Sequence, residues 1–140
     1  MSSTPYDALH RLHELATTGQ LATLCERHDI TLLVVHGSTL DTEPIRPARD
    51  LDIAFQGQPG ANRDVVALAN DLMDAASFEN LDVMDLLRAD PVARARALAP
   101  ESLVLYEAEP GTFARAQMAA LTTAMETRHL RRLDLELLAG

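Results

Sequence analysis

"LLVVHGSTLDTEPIRPARDLDIAF", Leu32 to Phe55, decides the fold. A short apolar run breaks at Gly37-Ser38, crosses a polar loop holding Pro44 and Pro47, and re-enters a second apolar run carrying Asp50 and Asp52. Both runs have the length and composition of buried strands bounded by turn residues. In an extended strand alternate side chains share a face, so Asp50, Asp52 and Ala54 point one way and Leu51, Ile53 and Phe55 the other. The second face can pack. The first carries two carboxylates, and a carboxylate taken from water must be paired or neutralised. A hard cation does this: Mg²⁺ takes oxygen ligands, commonly one or two carboxylates with substrate phosphates completing its shell.

The flanking sequence supplies more strands and the helices to cover them. Thr4-Pro5 followed by Asp7 reads as a capped helix start, with Leu9, Leu12, Leu15, Ala16, Leu21 and Leu24 on its apolar side and a break at "TTGQ", Thr17 to Gln20. From Asn62, the residues Val65, Val66, Leu68, Ala69, Leu72, Met73 and Ala76 recur at helical spacing. "NLDVMDL", Asn80 to Leu86, returns to strand character, Asp90-Pro91 starts a helix running to Ala99, and "SLVLYE" is a fourth strand. A long helix follows over about 112–138, apolar at Phe113, Ala116, Ala120, Leu121, Ala124, Met125, Leu130, Leu133 and Leu137; Met118, Met125 and the leucines beyond read as core, although a helix of this length can leave apolar surface for a partner. The class is α/β (α+β), with about four strands and helices packed on the sheet.

Composition narrows the function. The chain's 140 residues suit a single domain spanning 1–140. A net charge of −9 with 4% aromatic residues leaves neither the basic stripe nor the stacking platforms of a nucleic-acid binder. No apolar run is long enough to cross a bilayer, the first residues lack the pattern of a signal peptide, and there is one cysteine, Cys25, expected to be buried. A cytoplasmic protein is expected.

The acidic strand and "HGST" fit one chemistry. A Gly-Ser opening a turn after a strand can offer backbone N–H groups and a hydroxyl to a phosphate, Gly37 allowing close approach and Ser38 giving the hydroxyl. "NLDVMDL" offers a third carboxylate, Asp82 on one face or Asp85 on the other, as a metal ligand or proton acceptor. Such a set serves in-line nucleotidyl transfer from a nucleoside triphosphate. Arg46 and Arg49 suit either the triphosphate or ion pairs with the aspartates. His36 reads as a packed or capping histidine, His10, His13 and Glu14 as a solvated helix face, and "RHLRR", Arg128 to Arg132, as charges complementing the helix's C-terminal half.

With Gly37-Ser38, then Asp50-Leu51-Asp52, then "LDVMDL", the chain resembles the DNA polymerase β-like nucleotidyltransferase superfamily, and within it the minimal nucleotidyltransferase (MNT) proteins. The likeness runs in order through "LCERHDITLLVVHGS", "DLDIAF" and "LDVMDLLRADPVARARAL...LVLYE", about 24–107. It implies the polymerase β-like fold on a mixed sheet, with Gly37 and Ser38 binding phosphate and Asp50, Asp52 and Asp82 as metal-binding catalytic carboxylates. It further implies Mg²⁺ and ATP, transfer of AMP to a HEPN ribonuclease toxin bound as a hetero-oligomer, and the role of antitoxin in a HEPN/MNT toxin–antitoxin pair. The chain departs from the family in having eleven residues between Ser38 and Asp50 where ten are common, and Thr39 and Thr42 where relatives continue "GSxxxG", often with Arg after the Ser. A non-catalytic antitoxin of the same fold, and a small-molecule transferase of the aminoglycoside type, are the alternatives.

Overall fold

The computed structural model describes residues 4–40, 47–61 and 63–139; Thr42, Arg46 and Asn62, singled out above, lie outside them. Helix α1, Pro5–Thr18, begins where Thr4 caps it: the Thr4 hydroxyl accepts the Asp7 N–H at 3.1 Å and the Asp7 carboxylate accepts the Thr4 N–H at 3.1 Å. It ends at Gly19, whose φ of 84° turns the chain into α2, Gln20–Arg27. Then follow β1, Ile30–His36, a 3₁₀ turn over Ser38–Leu40, β2, Leu51–Gly57, α3, Val65–Ala76, and β3, Leu81–Asp85. Helix α4, Pro91–Ala97, β4, Leu103–Glu107, and α5, Thr112–Ala139, complete the order.

The strands form a mixed sheet in the order β3-β2-β1-β4, with β1 antiparallel to both neighbours and β2 parallel to β3. The parallel pair needs a crossover, which α3 provides. Alternation then sorts the side chains into two cores. Leu33, Val35, Leu51, Ile53 and Phe55 are buried with α1, α2 and α3. Leu32, Val34 and Ala54 are buried on the opposite face, against Ala97 and Leu98 at the end of α4 and Ala120 of α5. Polar ties fix the first layer: His28 Nε2 meets Asp71 Oδ2 at 2.6 Å, joining α2 to α3, and Arg11 Nη1 donates to the Ala76 carbonyl at 2.8 Å. Cys25 is fully buried in this layer, and desolvation pushes its thiol up to about 12, so it is an inert core residue.

Two sequence expectations change. The ladder between β2 and β3 starts at Leu51↔Leu81, so Asp50 lies in the bend before β2 and is exposed, where strand alternation had placed it inside the strand. Met118, Met125 and the leucines of the last helix are not core: Met118 is 69%, Met125 73% and Leu137 79% exposed. The reason is length. Helix α4 has 7 residues and α5 has 28, so α5 outruns both its partner helix and the sheet, and Ala120 is the last buried residue among its described side chains. Among the described residues no helix is long and apolar enough to cross a membrane.

Phe55→Ala is expected to cost about 3–5 kcal/mol in urea unfolding, since it empties the centre of the first core, whereas Met125→Ala stays within about 0.5 kcal/mol.

Candidate active site

The strand registers build the site. His36 pairs with Asp52 across β1 and β2, and Asp52 pairs with Asp82 across β2 and β3. Directly paired residues on adjacent strands share a face, so these three form one polar row across three strands. The row lies on the α4–α5 side, two residues beyond Val34, Ala54 and Met84, with His36 and Asp52 half-buried and Asp82 exposed. Asp85 pairs with Phe55 and belongs to the other face. Its Oδ1 accepts the Leu87 N–H at 3.0 Å, which fixes the turn after β3. Of the two candidate third carboxylates, Asp82 is thus the one in the row.

Gly37 leaves β1 with φ of 89°, and a Cβ built on it would collide with the Asp52 carboxylate. Only glycine therefore lets the chain turn here while Asp52 lies against the backbone. Ser38 follows at the head of the 3₁₀ turn, closed by the Leu40 N–H donating to the Gly37 carbonyl at 3.1 Å. His36, Gly37 and Ser38 line a cleft of about 740 Å³ whose opposite wall includes Arg96, Glu101 and Ser102. Arg96 came from neither motif nor periodicity. Its neighbour Arg94 is spent on structure, donating to the carbonyls of Leu86 at 2.6 Å and Ala89 at 3.0 Å, while Arg96 makes no ion pair among the described residues. Nothing in the sequence separates the two arginines.

The site is electrostatically unsatisfied. Burial raises the Asp52 carboxyl above its ordinary value, the charges of Asp82 and Asp50 push it the same way, and His36 opposes them. Burial lowers the His36 imidazole, against the pull of Asp52 and Asp82. Among the described residues the buried side-chain polar atoms without a hydrogen-bond partner are His36 Nε2 and Thr39 Oγ1, which bracket Gly37-Ser38. Buried polar atoms are nearly always partnered; of these two residues His36 lines the cleft and Thr39 does not. His36 is half-buried, with its Nε2 inaccessible and without a hydrogen-bond partner among the described residues.

Mutually repelling carboxylates, a glycine cradle and orphaned polar atoms fit a divalent cation with a phosphate ligand. The fit is incomplete in one respect: among the described residues no three His, Cys, Asp or Glu side chains are grouped closely enough to hold an ion by themselves. Substrate phosphate must complete the shell. His10, by contrast, meets Glu14 at 3.0 Å on an exposed helix face, as the sequence suggests. Arg49 makes no ion pair among the described residues, so pairing with the aspartates does not explain it.

Two outcomes follow. In the metal-free protein Asp52→Asn is expected to melt above the wild type at neutral pH by up to about 3 °C, the effect being screened because the carboxyl is partly exposed. The sign comes from the raised pKa: the stabilising contribution of protonated Asp52 is full below its unfolded value and is lost as pH rises through its folded value, so the melting difference vanishes at acid pH. Gly37→Ala should cost more than about 1 kcal/mol in the same melts, from positive φ and the collision together.

No protein-family model matches the chain, and comparison with curated proteins found no match. Solved structures do match. A chain of a toxin–antitoxin complex with AMP-PNP is similar at a TM-score of 0.65 and 17% identity, over 86% of this chain and 96% of that one. A chain of a tri-AMPylated Shewanella oneidensis HEPN toxin in complex with MNT antitoxin gives 0.64 and 16%, over 91% and 99%. A chain of the MntA-HepT toxin–antitoxin complex gives 0.62 and 16%, over 91% and 99%. At these identities the likeness establishes fold alone: the chain has the α/β fold of the matched chains in these complexes.

Proposed function

We propose that this protein is a Mg²⁺-dependent nucleotidyltransferase that moves AMP from ATP to a hydroxyl of a protein partner, a HEPN ribonuclease toxin, acting as its antitoxin in the cytoplasm and as a single domain. The observation that carries the reading is the row His36–Asp52–Asp82 set against Gly37, with two orphaned polar atoms beside it. Asp50 and Asp52, with Asp82, would hold the cation. When bound, Mg²⁺ supplies charge stabilisation for the entering and leaving oxygens of an in-line displacement. Gly37 and Ser38 bind phosphate oxygens with backbone N–H and hydroxyl. Arg96, across the cleft, supplies the positive charge that relatives often carry directly after the Gly-Ser, where this chain has the buried, neutral Thr39. In the transfer the acceptor oxygen bonds to the α-phosphorus, the bond to the β-phosphate oxygen breaks, and pyrophosphate leaves. Where Asp82 is not itself a metal ligand, it would take the acceptor's proton.

The neighbours support this reading, since one complex holds AMP-PNP and another an AMPylated HEPN toxin beside an MNT antitoxin. A second reading, a binding antitoxin without catalysis, is favoured by the absence of three closely grouped ligands among the described residues.

Intact-mass spectrometry separates the two readings. The helical protein of a neighbouring reading frame, incubated with this protein, Mg²⁺ and ATP, should gain one or more AMP units. Asp50→Asn and Asp52→Asn should slow the gain by more than about 100-fold, in line with the loss of a preorganised transition-state charge. Asp82→Asn should cost activity, whereas Asp85→Asn, at a turn on the opposite face, should cost stability and little rate. A stable complex with no mass gain would establish the binding reading. Full activity in Asp52→Asn would remove the proposed site.

A further inference from the structure

Beyond the sheet, α4 and α5 enclose a second groove of about 380 Å³. Its floor is apolar, from Val92 and Ala95 of α4 to Leu121, Ala124 and Met125 of α5, and its charged groups are Arg96, Arg128 and Arg131. No acidic residue lines it, in a chain whose net charge is −9. Arg131 is partly occupied on its own helix, donating to the Thr127 hydroxyl and the Ala124 carbonyl, but Arg96 and Arg128 make no ion pair among the described residues. Leu121 is 50% and Met125 73% exposed on the floor. Arg96 and Ala99 line both this groove and the cleft beside Gly37-Ser38, so the two depressions adjoin at the end of α4.

We propose that this groove docks a helix of the acceptor protein that presents apolar side chains at i, i+3/i+4 spacing flanked by Asp or Glu. The geometry selects a helix: two helices with an apolar furrow between them accept a third, and no strand edge is exposed there for β-addition. The charges select the chemistry, since an all-arginine rim rewards carboxylates and repels basic helices. The second half of α5 extends the surface. From Leu121 to Leu138 it spans about 27 Å, none of its described side chains is buried, and Leu130, Leu135 and Leu138 stay exposed. Most helical stability in proteins comes from packing an apolar face, and a docked helix would supply that packing here. The identification of the occupant with the acceptor rests on the transferase reading, while binding itself does not, so the test omits nucleotide and Mg²⁺.

The probe is a synthetic helical peptide of roughly 20 residues, long enough to hold helix, with a leucine face flanked by glutamates. Its twin has lysines for the glutamates. Fluorescence anisotropy against the full chain should detect the glutamate peptide and not the lysine one. Arg128→Glu and Leu121→Glu should each weaken binding by about 10-fold or more, and rising salt should weaken it further. Both side chains are exposed, and unchanged melting will confirm that the variants fold. Equal binding of the two peptides, or undiminished binding in Arg128→Glu, would overturn the proposal. So would sedimentation showing a dimer of this chain that Leu121→Glu dissociates, because the groove would then be filled by a second copy. If the peptide binds but no AMP is transferred to the acceptor, the docking surface stands and the transferase reading fails.

Discussion

Asp52 is placed by its backbone and by Gly37, and it makes no ion pair among the described residues. Its position on β2 sets it opposite His36 on one side and Asp82 on the other. The turn at Gly37 brings main chain into contact with its carboxylate, which only a residue without Cβ permits. The arrangement keeps an acid partly desolvated among like charges, against its preference for ionisation in water. Strain of this kind persists where the surrounding fold over-determines it, and here two ladders and a fully buried core on the opposite face do so.

The same topology explains why the site is open. Helices α1 to α3 cover one face of the sheet, while on the other α4 and α5 bury Leu32, Val34 and Ala54, and the next row is half-buried at His36 and Asp52 and exposed at Asp82. Moving along the strands on that face, side chains change within two residues from sealed apolar to polar and accessible. The cleft at Gly37-Ser38 and the arginine-rimmed groove both use α4 as a wall, so under the proposed function one short helix would join nucleotide binding to partner recognition.

Much of this was legible in the sequence because it is local. Strand alternation, the Thr4 cap, the break at Gly19, the Asp90-Pro91 start and the order of strands and helices depend on neighbours a few residues away. The Gly-Ser and Asp-x-Asp spacing could be quoted for the same reason. The row could not, because register between strands is set by ladders joining distant segments; hence His36 read as an ordinary packed residue, and the choice between Asp82 and Asp85 stayed open. Asp50 fell outside β2 because the ladder, not the alternation pattern, decides where a strand begins. The helical pattern of α5 was visible, but its burial was not, since periodicity marks an apolar face without naming what covers it. Arg94 and Arg96 are indistinguishable until the fold spends one of them on carbonyls.

The most direct test of the central claim is a crystal structure of this chain grown with Mn²⁺ and a non-hydrolysable ATP analogue, with anomalous scattering recorded for the metal. The account predicts a metal peak ligated by the carboxylates of Asp50 and Asp52, with the triphosphate against Gly37-Ser38 and facing Arg96. A nucleotide bound elsewhere, or a peak that Asp50 and Asp52 do not ligate, would contradict it.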